Sequence, residues 1–437
     1  MNTETKNRKL ILVLIFSVFS LSFVYGQEKT LKEQALDEFK KEHYKEAIAL
    51  LEKATVESPG DAEVYYYLGW FNHYRAYDSH PLQGYDFAYS EKIFGYLEKA
   101  LSLNPEYGDA KYFYGAECSA NAFNAMYDYD LNRLKYFYRK AYEKGAYPAW
   151  LVEFGKNLMN TCDKNAILFT AGNPDFDICM YLQLHQNYRT DVTVVPLGNI
   201  DRPWYVKFLK NGLQGGVKKI NIHLDDRQIM DIHPFKWDTT EVAVHVSKEM
   251  KEEFNLAAGY QMKWRVDPDL VSNRMHAKIE SEQARKRIYL SPQRAILLHI
   301  VENNFVDRPV YFSNSAEPTF YGGLDLYFQN CGLTSRLTPV ETVNTGKSYN
   351  VNKLELLLKP GNFKYLPTLK TDDIPRISGV IFIYHITFRL LAQEYKQNHQ
   401  TEKLGKLIEL YKSSIAIGLD KEYEAGILEE MERMLGD

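Results

Sequence analysis

Residues 165–170 read Asn-Ala-Ile-Leu-Phe-Thr, and the apolar run at 166–170 predicts a strand that is buried on both faces, as in a parallel sheet. A Gly-Asn-Pro-Asp turn follows at 172–175 and leads into a predicted helix at 176–186. A second apolar strand at 191–195 and a helix at 204–211 come next. Strand, helix, strand and helix in this order predict a βαβ unit with parallel strands.

The residues on the C-terminal side of this unit extend the same α/β pattern. We place the α/β domain at 161–345, with an irregular insertion at about 213–290 and a connecting segment with C-terminal helices at 346–437. Within these ranges the pattern predicts further elements, namely strands at 220–224, 242–246, 309–312 and 335–340, helices at 293–304 and 324–330, and a helical hairpin within 379–434.

The residues on the N-terminal side, 27–160, have the spacing of small and large residues that is typical of tetratricopeptide-type helical hairpins. Three such hairpins align between about 31 and 147. Small residues that let paired helices approach closely alternate with large ones that interlock between them. The positions that carry this pattern are Ala47, Leu51, Ala54 and Pro59, then Leu68, Gly69, Leu97, Ala100 and Pro105, then Tyr114, Gly115 and Ala141. A plain helical bundle is the alternative. The predicted fold class is therefore mixed, with N-terminal α-hairpins, a central α/β sheet domain and a C-terminal helical hairpin.

The first 26 residues have the order of a secretory signal. Lys6, Arg8 and Lys9 precede an apolar run at 10–24, and Val24-Tyr25-Gly26 supplies small residues at the −3 and −1 positions. We expect cleavage before Gln27 and a periplasmic or secreted protein without a transmembrane segment. An uncleaved anchor is the alternative, although the run is shorter than the ~20 residues that span a bilayer.

Composition excludes some classes of function. The 437 residues are 45% hydrophobic and 25% charged, with a net charge of −4, so a nucleic-acid partner is not expected. The 33 tyrosines are unusually many. Four cysteines, none at CxxC spacing, disfavour a zinc or thioredoxin-like site, and the choice between disulfides and buried thiols stays open.

Four polar residues follow the two predicted strands and form the candidate ligand site. Asp175 and Asp177 come after the first strand, and Asn199 and Asp201 follow the second. Ligands of open α/β sheets bind outside the carboxyl ends of the strands, so these side chains suit a cation or the hydroxyl groups of a glycan. The alternative for the two aspartates is capping of the helix that follows them.

Other candidate chemistry is weaker. His223, Asp225, Asp226, Asp231 and His233 lie close in sequence, but their spacing is ordinary for a polar loop, so we assign no metal site. Arg189 with Asp191, and Arg308, precede strands, where a structural role is expected. We recognise no catalytic motif and expect no cofactor, and whether the chain is an enzyme stays open.

Several segments, in this order, resemble a known family. They are 165–170, 189–192, Trp204-Tyr205, 308–312 and 332–339. The chain is similar there to the soluble C-terminal region of the bacterial protein O-mannosyltransferase-like membrane family, which is abundant in Bacteroidetes. The resemblance covers roughly residues 150–345 and implies an α/β fold. Members carry a multi-spanning membrane domain that this sequence does not match, so the resemblance implies no transferase activity here. The family's Gly-Asp-Asn-Asp-Thr turn reads Gly-Asn-Pro-Asp-Phe at 172–176.

Two functions follow as hypotheses. The first is an exported tetratricopeptide-type binding or scaffold protein of the cell envelope, which holds a protein or peptide partner through Tyr65, Asn72 and Tyr112 on the first helices of the hairpins. The second is an envelope enzyme or glycan-handling module with its site at Asp175, Asp177, Asn199 and Asp201. Exposed hairpin side chains would favour the first, and carboxylates that converge in a pocket would favour the second.

Overall fold

A computed structural model describes residues 29–79, 84–172, 175–269, 289–343, 348–369, 374–416, 418 and 420–436. The signal sequence expected at 1–26 lies outside these residues. Contacts group the chain into two compact units that divide between Phe113 and Tyr114, within one helix.

The first unit consists of helices. They are α1 (Leu31–Lys40), α2 (Tyr44–Glu57), α3 (Ala62–Ser79), α4 (Ser90–Leu103) and the first residues of α5 (Gly108–Tyr127). Thr30 begins α1 with a capping box, in which its side chain accepts from the Glu33 N–H and the Glu33 side chain accepts from the Thr30 N–H. Helices α1 and α2 pack as one hairpin, and α3 and α4 pack as the next.

Close helix packing explains the small residues of the sequence pattern. Ala47, Ala54 and Ala100 are buried, and a Cβ atom added to Gly69 on α3 would lie 2.6 Å from the Leu97 side chain on α4. No residue larger than glycine fits at this crossing without a shift of its neighbour. The hairpin prediction is therefore confirmed at the level of paired, closely packed helices.

The second unit continues α5 from Tyr114 and adds a sheet region and further helices. Its remaining elements are α6 (Leu131–Glu143), α7 (Ala149–Asn160), β1 (Ile167–Thr170), α8 (Asp175–Gln186), β2 (Thr193–Pro196), α9 (Pro203–Asn211), α10 (Asp226–Met230), β3 (Phe235–Lys236), β4 (Thr240–His245), α11 (Lys248–Glu253), β5 (Gln261–Val266), β6 (Tyr289–Leu290), α12 (Pro292–Asn304), β7 (Val310–Ser313), β8 (Phe328–Asn330), β9 (Thr334–Leu337), α13 (Val351–Leu357), α14 (Ile374–Gln397), α15 (Thr401–Ser414) and α16 (Lys421–Gly436).

A mixed five-stranded sheet with the order β2-β1-β7-β9-β8 forms the centre of this unit. Strands β2, β1 and β7 are parallel, while β9 runs antiparallel to β7 and β8. Every residue of β1, β2 and β7 is buried, as their continuous apolar runs predict. The predicted βαβ unit is confirmed, because α8 connects the parallel neighbours β1 and β2.

Two sequence-based predictions in this unit are wrong. Residues 220–224 form no strand, although Ile220 and Ile222 are buried, because the Asn221 N–H donates to the Asn304 side chain rather than to a neighbouring strand. The helix predicted at 324–330 is a single 3-10 turn at Leu324–Tyr327 followed by β8, which pairs with β9.

Three helices, α14 to α16, pack on one another at the C-terminal end. A buried carboxylate joins the preceding segment to α7, because Glu153 accepts hydrogen bonds from the backbone N–H groups of Lys364, Tyr365 and Leu366. Among the described residues, no helix combines the length and the apolar character needed to cross a bilayer.

Candidate functional sites

The carboxyl ends of β1 and β2 lie at one edge of the sheet, as the candidate ligand site requires. Their register pairs Thr170 with Pro196, the last residue of each strand. Residues that follow the two strands therefore leave the sheet on the same side. Whether their side chains meet in a pocket depends on the contacts that each one makes.

Asp175 is sealed inside a hydrogen-bond cluster at this edge. Its carboxylate accepts from the backbone N–H groups of Ala171 (3.1 Å), Gly172 (3.1 Å) and Phe176 (2.9 Å) and from the Ser315 hydroxyl (2.7 Å). The side chain is only 1% exposed. Burial raises the pKa of Asp175, although its hydrogen bonds favour the ionised form. The carboxylate therefore ties the turn after β1 to the segment after β7.

Asp177 is equally buried but is less well satisfied. Its Oδ1 accepts from the Ser119 hydroxyl on α5 (2.8 Å) and from the Tyr138 hydroxyl on α6 (3.1 Å). Its Oδ2 accepts no hydrogen bond from any described residue. Burial raises the pKa of Asp177 to about 7, and the two hydroxyl donors oppose this shift only in part. Asp177 therefore anchors α8 to α5 and α6.

The two pairs of predicted ligand residues differ in burial. Asp175 and Asp177 are each 1% exposed, whereas Asn199 and Asp201 are half-buried. Sequence reasoning placed the two aspartates correctly at the start of a helix. It missed Ser119, Tyr138 and Ser315, which lie 58, 39 and 140 residues from the aspartates that they contact, so no local pattern points to them.

The opposite edge of the sheet holds arginines in structural roles, as expected. Arg308, 7% exposed, donates to the carbonyls of Asn165, Ala166 and Lys219 and to the Thr193 hydroxyl. Burial lowers the pKa of Arg308 to about 10, so the guanidinium stays charged at neutral pH. Arg189 pairs with Asp191 at 2.9 Å. These contacts hold the strand entries together and leave little of either side chain for a ligand.

The histidine and aspartate run at 223–233 has ordinary local contacts. Asp225 caps α10, and Asp226 pairs with Lys207 at 2.7 Å. The His233 Nδ1 lies 2.6 Å from the Asp231 carbonyl oxygen. Within the described ranges, no three His, Cys, Asp or Glu side chains converge on a point that would hold a metal ion. The four cysteines are buried and are not joined by disulfides.

The predicted partner-binding residues have different degrees of exposure. Asn72 is completely buried, and its Nδ2 donates to the Leu68 carbonyl at 2.7 Å. A partner therefore cannot contact this side chain. Its complete burial places it on the helix-packing side of α3, and the hydrogen bond to the carbonyl one turn earlier satisfies its amide there. Tyr65 and Tyr112 are half-buried, and the ammonium group of Lys99 lies over the Tyr65 ring.

Next to these residues lies an array of aromatic rings that we call the aromatic face. It is formed by Phe39 of α1, Tyr66, Trp70, Tyr74 and Tyr77 of α3, and Phe113 of α5. The Trp70 ring centroid lies 5.2 Å from Phe39, 5.7 Å from Tyr66 and 5.4 Å from Phe113. Tyr74 and Tyr77 are each 44% exposed. Helical spacing at 66, 70, 74 and 77 puts the α3 members on one side of that helix.

Acidic side chains border the aromatic face. Tyr66 packs against Tyr67 and Tyr107, each at 5.0 Å between ring centroids. The Tyr67 hydroxyl donates to Glu63 at 3.0 Å. Burial, together with the charge of Glu63, raises the pKa of Tyr67 to about 12. Lys32 pairs with both Asp61 and Glu63. In residues 29–113, fifteen acidic residues outnumber ten basic ones.

A comparison with protein families agrees with the resemblance seen in the sequence. The family model described as TMEM260-associated domain 2 matches residues 151–264 and 238–355. This family is linked to O-mannosyltransferase-like proteins, so the chain is similar to such proteins across its α/β sheet region. The match does not extend to the N-terminal hairpins. No curated protein and no solved structure matches the chain.

Proposed function

We propose that the chain is an exported, tetratricopeptide-type binding or scaffold protein of the cell envelope, and that its N-terminal helices hold a protein or peptide partner. The observation that carries this proposal is the aromatic face, on which Trp70 connects rings from α1, α3 and α5 and Tyr74 and Tyr77 remain 44% exposed. Exposed aromatic rings offer a large contact area at a low entropic cost, which suits a binding surface.

The helix arrangement supports the tetratricopeptide interpretation. In such arrays the first helix of each hairpin lines the groove, and the aromatic face is formed by residues from α1, α3 and α5, which begin the three predicted hairpins. The close contact at Gly69 corresponds to the small position of that repeat. Tyr65 and Tyr112 border the face, and Asn72 belongs to the packing inside the hairpin.

The acidic border indicates the chemistry of the partner. Burial, together with the negative charges of Glu63, Asp109 and Asp61, raises the pKa of Tyr107. Lys32 forms ion pairs with Asp61 and Glu63 and so neutralises part of this charge. A segment with apolar or aromatic side chains flanked by lysine or arginine would match such a surface, through ring packing and cation–π contacts. Binding to this surface should weaken as salt screens the charges.

The alternative, a glycan-handling or catalytic site at the strand ends, has less support from the geometry. Asp175 and Asp177 are each 1% exposed, and their contacts are accounted for by helix and turn anchoring. Neither carboxylate reaches a substrate without opening of the packed helices. Similarity to the TMEM260-associated domain 2 supplies no reaction to assign to these residues.

The test is affinity purification of the tagged chain from its native envelope, with Tyr74→Ser compared with Tyr136→Ser. Tyr136, 46% exposed, lies outside the aromatic face and matches Tyr74 in chemistry and exposure. We expect partners that co-purify in stoichiometric amounts with the wild type and with Tyr136→Ser, and their loss with Tyr74→Ser. Equal recovery with all three proteins, or no stoichiometric partner at all, would contradict the proposal.

A further inference from the structure

We propose a small-molecule site in the second unit, a cleft of about 280 Å³ that takes a polyhydroxylated molecule of the size of one sugar ring. The cleft lies where the last turn of α7 meets the end of α13. Its lining includes Asn157, Asn160, Leu356, Leu357, Lys359 and Asn362. The cleft contains no residue of the aromatic face, so the test of this site does not depend on the proposed partner binding.

Internal hydrogen bonds hold the walls of this cleft in place. The Asn157 Nδ2 donates to the Asn362 carbonyl (2.8 Å) and to the Tyr384 hydroxyl (3.1 Å). The Asn362 Nδ2 in turn donates to the carbonyls of Leu356 (3.1 Å) and Leu357 (2.9 Å) at the end of α13. The cleft is therefore formed before any ligand arrives, which reduces the ordering that a ligand must impose.

Two acceptor atoms of the lining residues are left over by this network. Asn157 lines the cleft and is only 3% exposed, and its Oδ1 accepts no hydrogen bond from a described residue but keeps some solvent access. The Asn362 Oδ1 is likewise not used by the described part of the chain, since that side chain bonds only through Nδ2. Each oxygen can accept from a ligand.

Two donor groups of the lining are also left over. Asn160 uses its Oδ1 to accept from the Tyr188 hydroxyl at 2.7 Å, and its Nδ2 donates to no described residue. Lys359 is exposed, and its ammonium group forms no ion pair or hydrogen bond within the described ranges. The lining residues thus offer two side-chain acceptors and two donors together.

This combination selects for hydroxyl groups, because a hydroxyl both donates and accepts. Leu356, 43% exposed, and Leu357 add an apolar wall that suits the C–H face of a ring. The lining holds one cation, Lys359, and no carboxylate, while Arg189 offsets the partial negative charge at the end of α7 by donating to the carbonyls of Met159 and Cys162. The lining is therefore not strongly charged, which suits a neutral ligand more than an anion. A neutral polyol ring satisfies all of these groups at once.

The size of the cleft limits the ligand to a single ring. Ligand pockets generally enclose roughly 300–1,000 Å³, and this cleft, at about 280 Å³, lies just below that range. A molecule with about a dozen heavy atoms at ordinary ligand efficiency binds with a Kd in the millimolar range. A method that detects weak binding is therefore required.

The experiment is saturation-transfer-difference NMR of the purified full-length mature chain with D-glucose, D-mannose, D-galactose and myo-inositol, and with cyclohexanecarboxylate as an anionic comparison. Leu356→Trp fills the cleft without removing a hydrogen bond. Leu326→Trp, at a side chain that is 48% exposed and outside the cleft, is the matched control. Asn160→Asp keeps the acceptor for Tyr188 and removes the donor to the ligand.

We expect at least one polyol to bind the wild type and Leu326→Trp, to be lost with Leu356→Trp, and to bind roughly tenfold more weakly to Asn160→Asp. The proposal is overturned if no polyol binds the wild type, if binding survives Leu356→Trp, or if the carboxylate binds more tightly than every polyol. If Leu356→Trp does not fold, unchanged affinity in Asn160→Asp is sufficient to reject it.

Discussion

The carboxyl edge of the sheet and the aromatic face of the N-terminal helices differ in the solvent exposure of their polar and aromatic side chains. At the sheet edge, Asp175 and Asp177 are each 1% exposed and are used to join helices and turns. On α3, Tyr74 and Tyr77 remain 44% exposed although their neighbours pack tightly. The two aspartates chosen for their chemistry are thus internal, while two tyrosines beside a packed aromatic cluster are accessible.

This difference teaches that accessibility has to be established before chemistry is assigned. A carboxylate after a parallel strand can act on a ligand only if the helices around it leave an opening, and α5, α6 and α8 close that opening around Asp177. An aromatic residue can bind a partner only if packing leaves part of its ring uncovered. The following changes test both halves of this comparison.

The largest effect is expected from Arg308→Met, which tests the sealed polar groups of the sheet. Three backbone carbonyls and the Thr193 hydroxyl would lose a buried charged donor, at a cost of about 3–5 kcal/mol. Urea unfolding measures this change. Arg308→Lys should restore only part of it, since an ammonium cannot reproduce the guanidinium fork. A loss as small as that of the exposed Arg265→Met would show that Arg308 is not structural.

Asp177→Asn tests whether the buried carboxyl is as poorly satisfied as its contacts indicate. The pKa of about 7 in the folded chain exceeds the value of about 3.9 in an unfolded one, so the folded form binds its proton more tightly. Stability that is present at low pH is therefore lost as pH rises from about 4 to 7, by roughly 4 kcal/mol in total.

The asparagine variant should lack this loss, so its stability falls less steeply than that of the wild type between pH 4 and 7 in urea unfolding. Asp226→Asn, at an exposed aspartate paired with Lys207, is the control and should keep the wild-type slope. Parallel curves for the wild type and Asp177→Asn would mean that the carboxyl ionises normally in the folded chain.

Gly69→Ala tests the close packing beneath the aromatic face. The added methyl group would meet Leu97 at 2.6 Å, so we expect a loss of about 1–2 kcal/mol in thermal or urea unfolding. Gly95→Ala on α4 has no atom within 4 Å of the added Cβ and should instead gain about 0.5–1 kcal/mol from helix propensity. Equal effects of the two changes would contradict the hairpin packing.

The smallest effect on stability is expected from Tyr74→Ser, at the accessible end of the comparison. The ring is 44% exposed and is not part of the buried core of the hairpins, so the free energy of unfolding should fall by only about 0.5 kcal/mol or less. Circular dichroism measures this shift. A large destabilisation would mean that Tyr74 belongs to the core, and loss of binding in this variant would then have a trivial cause.

Much of the fold could be predicted because its signals are local. The run at 166–170 predicts β1, and the structure begins and ends that strand within a residue of the prediction. The prediction at 324–330 fails because β8 is short and exists through its pairing with β9. The alternation at 220–224 correctly indicates buried isoleucines, but it cannot show that Asn304 takes the place of a neighbouring strand.

The candidate site could be predicted less well, for the same physical reason. The position of Asp175 at a helix start follows from the turn before it, whereas its contact with Ser315 depends on β7 lying next to β1. The remaining contacts of Asp177 come from α5 and α6, which precede it in the chain. Likewise, the burial of Asn72 depends on which side of α3 faces the other helices, and composition does not reveal that.

The central claim, that the aromatic face is the binding surface, is tested most directly by hydroxyl-radical footprinting of the tagged chain with and without extract of its native envelope. We expect Tyr74 and Tyr77 to be protected from oxidation by the extract, while Tyr136 and Tyr142, both 46% exposed and outside the face, are oxidised as before. Unchanged oxidation of Tyr74 and Tyr77 in the presence of extract would contradict the account, as would protection confined to the other tyrosines.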